Sequence, residues 1–369
     1  MMNYLPVIYI TGSGFVLSIL LLPLIKRFSI HYNLVSMPKE DRWHRRPTPI
    51  LGGVGIFISW LITCILFSHF VDWHLHTRSL IIPVCATGIF ILGLMDDCSE
   101  VRPQKKLAWE IIAASIAIFF GFQFKWSGSS MLNMLLSFFW IVGITNAFNL
   151  LDNMDGLATG IAIISSGFIL IMHYLCSGHL DLSAPSIFFN LALIGPLLGF
   201  LIFNFNPASI FMGDAGSLFI GFVLSILAIQ EPSFKGTGVL HVISTVGIPI
   251  LVLLIPILDT TFVTIMRRLF RRPIYVGGKD HTSHRMVAIG FSERTAVLII
   301  YAFSIAAGIM AILINYISIW IGIILTVLFV LVIIFFWIKL ATVEVYSEDP
   351  SPLLANLIVI ERYLRFYWI

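Results

Sequence analysis

Carboxylates stand in three short polar segments of an otherwise apolar chain. Asp96 and Asp97 are adjacent in LMDDCSE, Asp152 and Asp155 share NAFNLLDNMDGLATG, and Asp214 lies between glycines in MGDAGSL. Two adjacent carboxylates repel each other, which favours a bound cation or protonation of one of them. Carboxylate oxygens suit Mg²⁺, which usually takes one or two of them and keeps waters or phosphate oxygens. The three segments therefore indicate metal-assisted chemistry on a phosphorylated substrate.

Each segment also has a plainer explanation. The first could be a solvated helix end, the second an Asx-rich turn, and the third a simple glycine turn. The Asx-turn explanation does not account for Asn146 and Asn149, which lie upstream in apolar sequence. Polar residues recur at every third position from 146 to 155, and this spacing would spread them over about half of a helix circumference. We therefore expect the helix to unwind in this segment, with Gly156 helping the chain to turn.

The segment at 267–294 brings two histidines close to an acid. His281 and His284 are three residues apart and follow Asp280. A zinc site built on this pair is conceivable, but no third soft ligand is evident in the sequence. Phosphate contact or acid/base chemistry fits better, because histidine titrates near neutral pH. The many Lys and Arg residues of this segment, Arg285 among them, are explained equally well by the usual excess of basic residues in cytoplasmic loops.

Further cations could meet a diphosphate or an anionic headgroup. His44, Arg45 and Arg46 precede the second apolar segment, and Lys105 and Lys106 precede the fourth. Together with the carboxylates, they suggest phosphoryl transfer between a soluble nucleotide and an acceptor in the membrane.

Two polar residues lie at or inside apolar segments. Asn204, near the end of the seventh segment, adds a polar group on the side of Asp214. Asp259 lies eight residues before Arg267, about 12 Å along a helix. An unpaired carboxylate at that depth is costly. Asp259 therefore either reaches the site or accepts hydrogen bonds from the hydroxyls of the next two residues, both threonines.

The composition excludes soluble folds. Hydrophobic residues make up 59% of the 369 residues and charged residues 11%, and the mean hydropathy is +0.98. Soluble domains carry about 25% charged residues. We expect an all-α polytopic membrane protein whose partner is the lipid bilayer, with no nucleic acid.

Eleven segments are long and apolar enough to cross a hydrocarbon core, which takes about 20 residues per helix. They lie near 7–28, 50–70, 79–95, 107–126, 131–151, 157–175, 185–205, 216–230, 238–266, 295–315 and 316–338. Pro249 and Pro256 should break or kink the ninth.

The basic residues predict the orientation. With the N-terminus outside and alternating spans, nineteen of the 22 Lys and Arg residues face the cytoplasm, a strong positive-inside bias. The C-terminus then lies inside, and the acidic segments share the cytoplasmic face.

The same assignment divides the chain. Residues 1–340 are expected to form one transmembrane domain, with cytoplasmic loops near 29–49, 96–106, 152–156, 206–215 and 267–294. The tail at 341–369 is expected to be either an interfacial amphipathic helix or a partly ordered segment.

Six motifs, in order, resemble one enzyme family. RWHRRPTPILGG, LMDDCSE, NAFNLLDNMDGLA, FNPASIFMGDAGSL, PILDTTFVTIMRR and DHTSHRMVAIGFSERTAV span residues 42–297. They closely resemble the polyprenyl-phosphate N-acetylhexosamine-1-phosphate transferases of glycosyltransferase family 4. The resemblance implies transfer of a sugar-1-phosphate from a UDP-N-acetylhexosamine to undecaprenyl phosphate, with UMP released and Mg²⁺ or Mn²⁺ required. It also implies a bacterial cytoplasmic membrane and an initiating step of cell-envelope polysaccharide synthesis.

Residue patterns and resemblance together predict three sets of site residues. The catalytic set is Asp96, Asp97, Asp152, His281 and His284. The substrate-binding set is Arg45, Arg46, Lys105, Lys106, Asn149, Asn204, Asp259 and Arg285. The metal set is Asp155 and Asp214.

One departure from the family pattern bears on the donor. Ser283 stands where the last motif often has a middle histidine, and a consecutive histidine run is missing. Both points favour a small donor such as UDP-GlcNAc over the pentapeptide-bearing donor of peptidoglycan synthesis. Several alternatives stay open: that pentapeptide translocase, a secondary transporter, an inactive scaffold, a route through an aspartyl-phosphate, and a homodimer.

Overall fold

The computed structural model describes residues 5–37, 47–70, 80–99, 101–230, 238–273, 278–317, 319–343 and 345. Helices dominate these ranges. They are α1 (Leu5–His31), α2 (Gly52–Leu66), α3 (Ile81–Ser99), α4 (Pro103–Phe119), α5 (Ser130–Leu151), α6 (Leu157–Ser177), α7 (Pro185–Asn204), α8 (Gly213–Ile229), α9 (Val239–Val242), α10 (Ile248–Val252), α11 (Leu254–Leu269), α12 (Thr282–Ala288), α13 (Glu293–Tyr316) and α14 (Ile319–Ala341).

The remaining regular structure in the described ranges is short. Strands β1 (Val35–Ser36) and β2 (Thr48–Pro49) pair antiparallel. A 3₁₀ turn follows α2 at Ser68–Phe70, and a π-helical turn, Ile243–Gly247, joins α9 to α10.

Within the described residues, seven helices are long and apolar enough to cross a membrane: α1, α3, α5, α6, α7, α13 and α14. The bent pair α10–α11 makes an eighth if it counts as one span, and α2 and α8 are shorter apolar helices. The chain is therefore an all-α polytopic membrane protein, as predicted. The count of eleven spans and their orientation stay predictions.

The segment that ends with α10 and the helix α11 meet at Leu253, and the angle of the bend between them is 72°. Pro249 and Pro256 flank the bend. Because Pro256 has no N–H, it cannot bond the carbonyl of Val252. The Ser165 hydroxyl of α6 donates to that carbonyl at 2.9 Å instead. The expected break near the two prolines thus has a counterpart in this bend.

Helix α8 lies in the interior and carries Asp214 in its first turn. Small residues let the neighbouring helices approach it, as is common between membrane helices. A Cβ on Gly53 of α2 would lie 2.2 Å from the backbone nitrogen of Gly216, and a Cβ on Gly93 of α3 would lie 2.4 Å from the carbonyl oxygen of Asp214. Larger residues at either glycine would displace the start of α8 and Asp214 with it.

Candidate active site

The start of α8 is held by a carboxylate from α3. Gly213 has a φ of +71° and turns the chain into the helix. Asp97 then accepts two backbone hydrogen bonds, from the N–H of Asp214 to Oδ1 at 2.8 Å and from the N–H of Ala215 to Oδ2 at 3.0 Å. The first amides of a helix have no partner inside it, and its N-terminus favours negative charge. Asp97 therefore fixes the position of Asp214 relative to α3.

A lysine ammonium joins the two other carboxylates of this cluster. Nζ of Lys106, in the first turns of α4, lies 2.9 Å from Oδ2 of Asp96 and 2.5 Å from Oδ2 of Asp214. Oδ1 of Asp96 accepts the backbone N–H of Val101. Since all three charged side chains are half-buried, water screens their attraction only in part. Asp96 and Asp214 thus point one oxygen each at the same cation.

The polar end of α5 unwinds as predicted. The helix ends at Leu151, and Gly156, with a φ of +77°, leads into α6. Asn149, in the last turn of α5, donates its amide to Oδ1 of Asp214 and to Oγ of Ser217, each at 3.0 Å. The amide therefore supports the Asp214 carboxylate from the side opposite Lys106.

Asp152 is the half-buried residue that follows α5. Burial raises the pKa of Asp152 to about 8, and the negative charges of Asp214, Asp97 and Asp155 contribute to the rise. The predicted catalytic acids Asp96, Asp97 and Asp152 and the predicted metal ligand Asp214 consequently form one cluster.

Asp155 is tied to the loop before α8. Its Oδ2 accepts the backbone N–H of Ala208 at 2.8 Å and the Asn206 amide at 3.3 Å, and Asn206 also donates to Glu293 at 2.6 Å. Asp155 acts on the cluster through its charge, while the contacts to Lys106 come from Asp96 and Asp214. Its metal-binding role stays a prediction.

Asn204 links the loop after α5 to the loop before α8. Its Oδ1 accepts the backbone N–H of Gly156 at 3.1 Å and the Thr159 hydroxyl at 3.0 Å, and its Nδ2 donates to the carbonyl of Ile210 at 3.1 Å. The side chain is only 2% exposed. Both ends of the amide are engaged in structural bonds, and the predicted substrate contact of Asn204 stays a prediction.

Asp259 reaches the histidine segment. Its Oδ2 lies 2.8 Å from Nδ1 of His281, and its Oδ1 accepts the backbone N–H of Thr282 at 2.9 Å. These bonds place the first residues of α12 against α11. With both oxygens engaged and 5% exposure, Asp259 orients His281, and its predicted direct contact with substrate stays a prediction.

His284 is buried beside His281, with the ring centroids 6.0 Å apart. Burial, aided by the charge of His281, lowers the pKa of His284 to about 3. This pKa favours a neutral His284 at physiological pH, and the catalytic role of His284 stays a prediction. Between the two histidines, Ser283 donates to Oδ1 of Asn153 at 2.7 Å and joins α12 to the loop after α5.

Arg285 is completely buried and bonded to backbone carbonyls. Its Nε donates to the carbonyl of Asp280, and its Nη1 donates to the carbonyls of Leu340 and Val343, all at 3.0 Å. The last carbonyls of a helix favour a cation, so Arg285 fastens α12 to the end of α14. These bonds give Arg285 a structural role, and its predicted substrate contact stays a prediction.

The remaining predicted cations divide into two groups. Lys105 is exposed on α4, next to Lys106. Arg45 and Arg46 lie outside the described residues, as does nearly all of the tail after α14.

Comparison with known proteins gives the family. The model of glycosyl transferase family 4 matches residues 79–231, which include every carboxylate of the cluster. A probable undecaprenyl-phosphate N-acetylglucosaminyl 1-phosphate transferase of Bacillus subtilis is 35% identical over 324 residues, covering 85% of this chain and 86% of the relative. This chain belongs to glycosyl transferase family 4. The resemblance inferred from the six motifs is confirmed.

Other family 4 relatives carry two kinds of name. A decaprenyl-phosphate N-acetylglucosaminephosphotransferase of Mycolicibacterium smegmatis is 31% identical over 303 residues, covering 75% of this chain and 74% of the relative. A phospho-N-acetylmuramoyl-pentapeptide-transferase of Anoxybacillus flavithermus is 29% identical over 351 residues, covering 87% of this chain and all of the relative. This family 4 chain is therefore an enzyme of the polyprenyl-phosphate transferase class.

One acid of the family 4 chain was missed in the sequence. Glu110 of α4 is 2% exposed and accepts a hydrogen bond from the Asn146 amide. The signal was available, because Glu110 stands four residues after Lys106 and so shares its helix face.

The oxygen donors of the cluster fit a divalent metal. In the described part of the chain, no group of three or more His, Cys, Asp and Glu residues could enclose an ion. Mg²⁺ needs no such cage, since one or two carboxylates with waters and phosphate oxygens suffice. Asp96 and Asp214 already converge on one cation, the Lys106 ammonium. They are the pair best placed to hold a metal.

Proposed function

We propose that this protein transfers N-acetylglucosamine 1-phosphate from UDP-GlcNAc to undecaprenyl phosphate or a similar polyprenyl phosphate, releasing UMP. The convergence of Asp96 and Asp214 on one cation, at the start of a helix fixed by Asp97, carries the proposal. The two carboxylates and the Lys106 ammonium place opposite charges side by side, as recognition of a metal–diphosphate group requires. The names of the Bacillus and Mycolicibacterium relatives support the choice of sugar.

The membrane arrangement forms part of the same proposal. The chain crosses a bacterial cytoplasmic membrane eleven times as one domain, with its N-terminus outside and its C-terminus inside. The bent pair α10–α11 belongs to the ninth span, and the site opens to the cytoplasm. The distribution of Lys and Arg supports this orientation, and UDP-sugars are cytoplasmic compounds.

The proposed chemistry exchanges one phosphorus–oxygen bond for another. An oxygen of the lipid phosphate attacks the phosphorus that bears the sugar, the bond from that phosphorus to the UMP oxygen breaks, and UMP leaves. A two-step route through an aspartyl-phosphate gives the same products. Mg²⁺, or Mn²⁺ in its place, would neutralise charge on the diphosphate when bound by Asp96 and Asp214, with Asp155 a further predicted ligand.

The protein groups around this reaction have separable tasks. Asp97 fixes the start of α8, so that Asp214 keeps its position while charge moves at the diphosphate. Asp152, whose pKa of about 8 lies close to neutral pH, is suited to accept a proton from the lipid phosphate. His281, oriented by Asp259, presents its other ring nitrogen for substrate contact. Neutral His284 can donate or accept a hydrogen bond but carries no charge to the site.

We expect the rate to rise with pH through the pKa of Asp152. Asp152 accepts a proton only when ionised, so activity should fall as the pH drops below about 8, the value set by the protein's own charges. A bound divalent cation moves this fall in activity, the acidic limb of the pH–rate profile, to lower pH. Asp155→Asn removes one of the negative charges that raise the pKa, so it should shift the limb further down. A limb that does not move in Asp155→Asn, measured from kcat at saturating substrates, would contradict the assignment of Asp152.

Arg285→Met should destabilise the protein without weakening donor binding. The carbonyls of Leu340 and Val343 lose their donor, and each buried acceptor left unsatisfied costs about 1–3 kcal/mol. Thermal unfolding in detergent should show the loss of stability. Arg268→Met is a matched control, because Arg268 is exposed and the substitution removes the same charge from a solvated site. A KM for UDP-GlcNAc raised tenfold or more, with unchanged unfolding, would restore the original prediction of substrate contact.

The donor can be tested with purified protein and undecaprenyl phosphate. UDP-GlcNAc, UDP-GalNAc and UDP-MurNAc-pentapeptide are supplied singly, UMP is quantified, and the lipid product is identified by mass. We expect UMP and a lipid-linked GlcNAc diphosphate from the first donor. UMP release only with the pentapeptide donor would reassign the protein to peptidoglycan synthesis.

A further inference from the structure

Glu110 is a buried carboxylate that the proposed reaction does not use. It lies on α4, one turn after Lys106, and side chains at this spacing share a helix face. One carboxylate oxygen accepts the Asn146 amide. The other, Oε1, has no hydrogen-bond partner in the described part of the chain. An ionised carboxylate with an unpartnered oxygen in a buried setting is costly, so a nearby cation would stabilise it.

Lys106 is that cation. The charges of Lys106 and Asp214 both act on the Glu110 carboxyl. The Lys106 ammonium, however, lies between Asp96 and Asp214. Its four-carbon stem is flexible enough to turn along the helix face. Lys106 therefore has two sets of carboxylates within one helical turn, and it occupies one of them.

The occupied set is the pair proposed to hold a divalent metal. A metal ion and an ammonium cannot share two carboxylate oxygens, because two positive charges a few ångströms apart repel strongly where water is scarce. Metal binding must therefore move Lys106. A displaced ammonium left without a partner in a half-buried site would lower the metal affinity.

We propose that Glu110 receives the Lys106 ammonium when a divalent cation takes the Asp96–Asp214 pair, so that Lys106 closes the metal position until metal arrives. This inference rests on the metal site of the proposed function. It assigns Glu110 as a positioning residue that acts through Lys106 and touches neither metal nor substrate.

The test is a double-mutant cycle read out by metal affinity, independent of turnover. Mn²⁺ binding is titrated by electron paramagnetic resonance in the full chain, purified in detergent, for wild type, Glu110→Gln, Lys106→Met and the double variant. Gln keeps an oxygen that can accept from Asn146. Lys105→Met is the control for general charge, since Lys105 is exposed on the same helix.

Glu110→Gln should weaken Mn²⁺ binding about tenfold in the wild-type background and leave it unchanged beside Lys106→Met, a coupling of the size seen between contacting residues. Lys106→Met alone should tighten binding more than Lys105→Met does, because the competing ammonium is gone. An equal loss from Glu110→Gln in both backgrounds would overturn the proposal, since it would show simple loss of negative charge.

Failure of the metal site itself gives a different result. Asp214→Asn should abolish the tight Mn²⁺ signal. If it does not, the metal assignment of the proposed function fails and the role of Glu110 fails with it. If Asp214→Asn does abolish the signal but the cycle shows no coupling, only the role of Glu110 is overturned.

Discussion

Asp214→Asn should lower the rate of UMP release by roughly two to three orders of magnitude, the loss typical when one preorganised electrostatic contact to a transition state is removed. The substitution keeps an oxygen that can accept the Asn149 amide, now 3.0 Å from Oδ1. It removes the negative charge that lies 2.5 Å from the Lys106 ammonium. The start of α8, fixed by Asp97, should remain in place. We therefore expect a folded protein with very low kcat.

A matched control separates charge at the site from charge in general. Asp181 is exposed in the loop between α6 and α7, and its carboxylate accepts hydrogen bonds from the backbone N–H and the hydroxyl of Ser183. Asp181→Asn removes the same charge and should leave kcat within a factor of about two, since exposed charges contribute little. Thermal unfolding of both variants checks folding. Full activity in folded Asp214→Asn would refute the assignment of the carboxylate cluster.

Asp97→Asn should reduce both stability and activity. The Asp97 carboxylate accepts the backbone N–H groups of Asp214 and Ala215 on separate oxygens. An asparagine amide has one acceptor, so its NH₂ group would face an N–H and leave that donor unsatisfied, at a cost of about 1–3 kcal/mol. Because the start of α8 then loosens, Asp214 loses its position, and kcat should fall about a hundredfold.

Ser129→Ala shows whether lost helix capping alone explains this result. Ser129 caps α5 by accepting the backbone N–H of Leu132, and removing such a cap costs about 1 kcal/mol. Unfolding temperatures and kcat are measured for both variants. Ser129→Ala should lose stability while retaining kcat. An Asp97→Asn protein with normal kcat would show that fixing α8 is unimportant for catalysis.

The acidic cluster was predictable because charge is expensive beside a membrane. Asp96, Asp97, Asp152 and Asp214 had few explanations other than chemistry once their segments fell on one predicted face. The unwound end of α5 was predictable for a related reason, since a regular helix would have scattered its polar residues. Sequence spacing was informative in both cases because it limited what backbone geometry could do.

The protein partners of other site residues could not be predicted, because sequence does not reveal where a polar side chain finds its partner. Asn204 and Arg285 looked like substrate ligands, yet each bonds a backbone group distant in the chain, the N–H of Gly156 for Asn204 and the carbonyl of Leu340 for Arg285. Asp259 bonds His281 across 22 positions. A buried polar residue must be satisfied, but spacing alone cannot say whether protein or ligand satisfies it.

The contact that brings the cluster together was also beyond the sequence. Lys106 and Asp214 are 108 positions apart and meet because α4, which carries Lys106, packs on α3 and α5, and both of these pack on α8. Charge patterning assigned both Lys105 and Lys106 to the predicted cytoplasmic face and gave no reason to choose between them. The two lysines point to different faces of α4: Lys105 is exposed, whereas Lys106 lies between two carboxylates.

The central claim is that phosphorus moves with the sugar, and one labelled donor tests it directly. Purified protein is reconstituted into sealed vesicles that contain undecaprenyl phosphate and is incubated with Mg²⁺ and UDP-GlcNAc that carries ³²P in the phosphate next to the sugar. We predict that the label appears in the lipid fraction in equal amount with unlabelled UMP. Label that stays in released UDP would show transfer of the sugar alone. Label that enters sealed vesicles as intact UDP-GlcNAc, without UMP, would show a transporter, and either outcome would contradict the account.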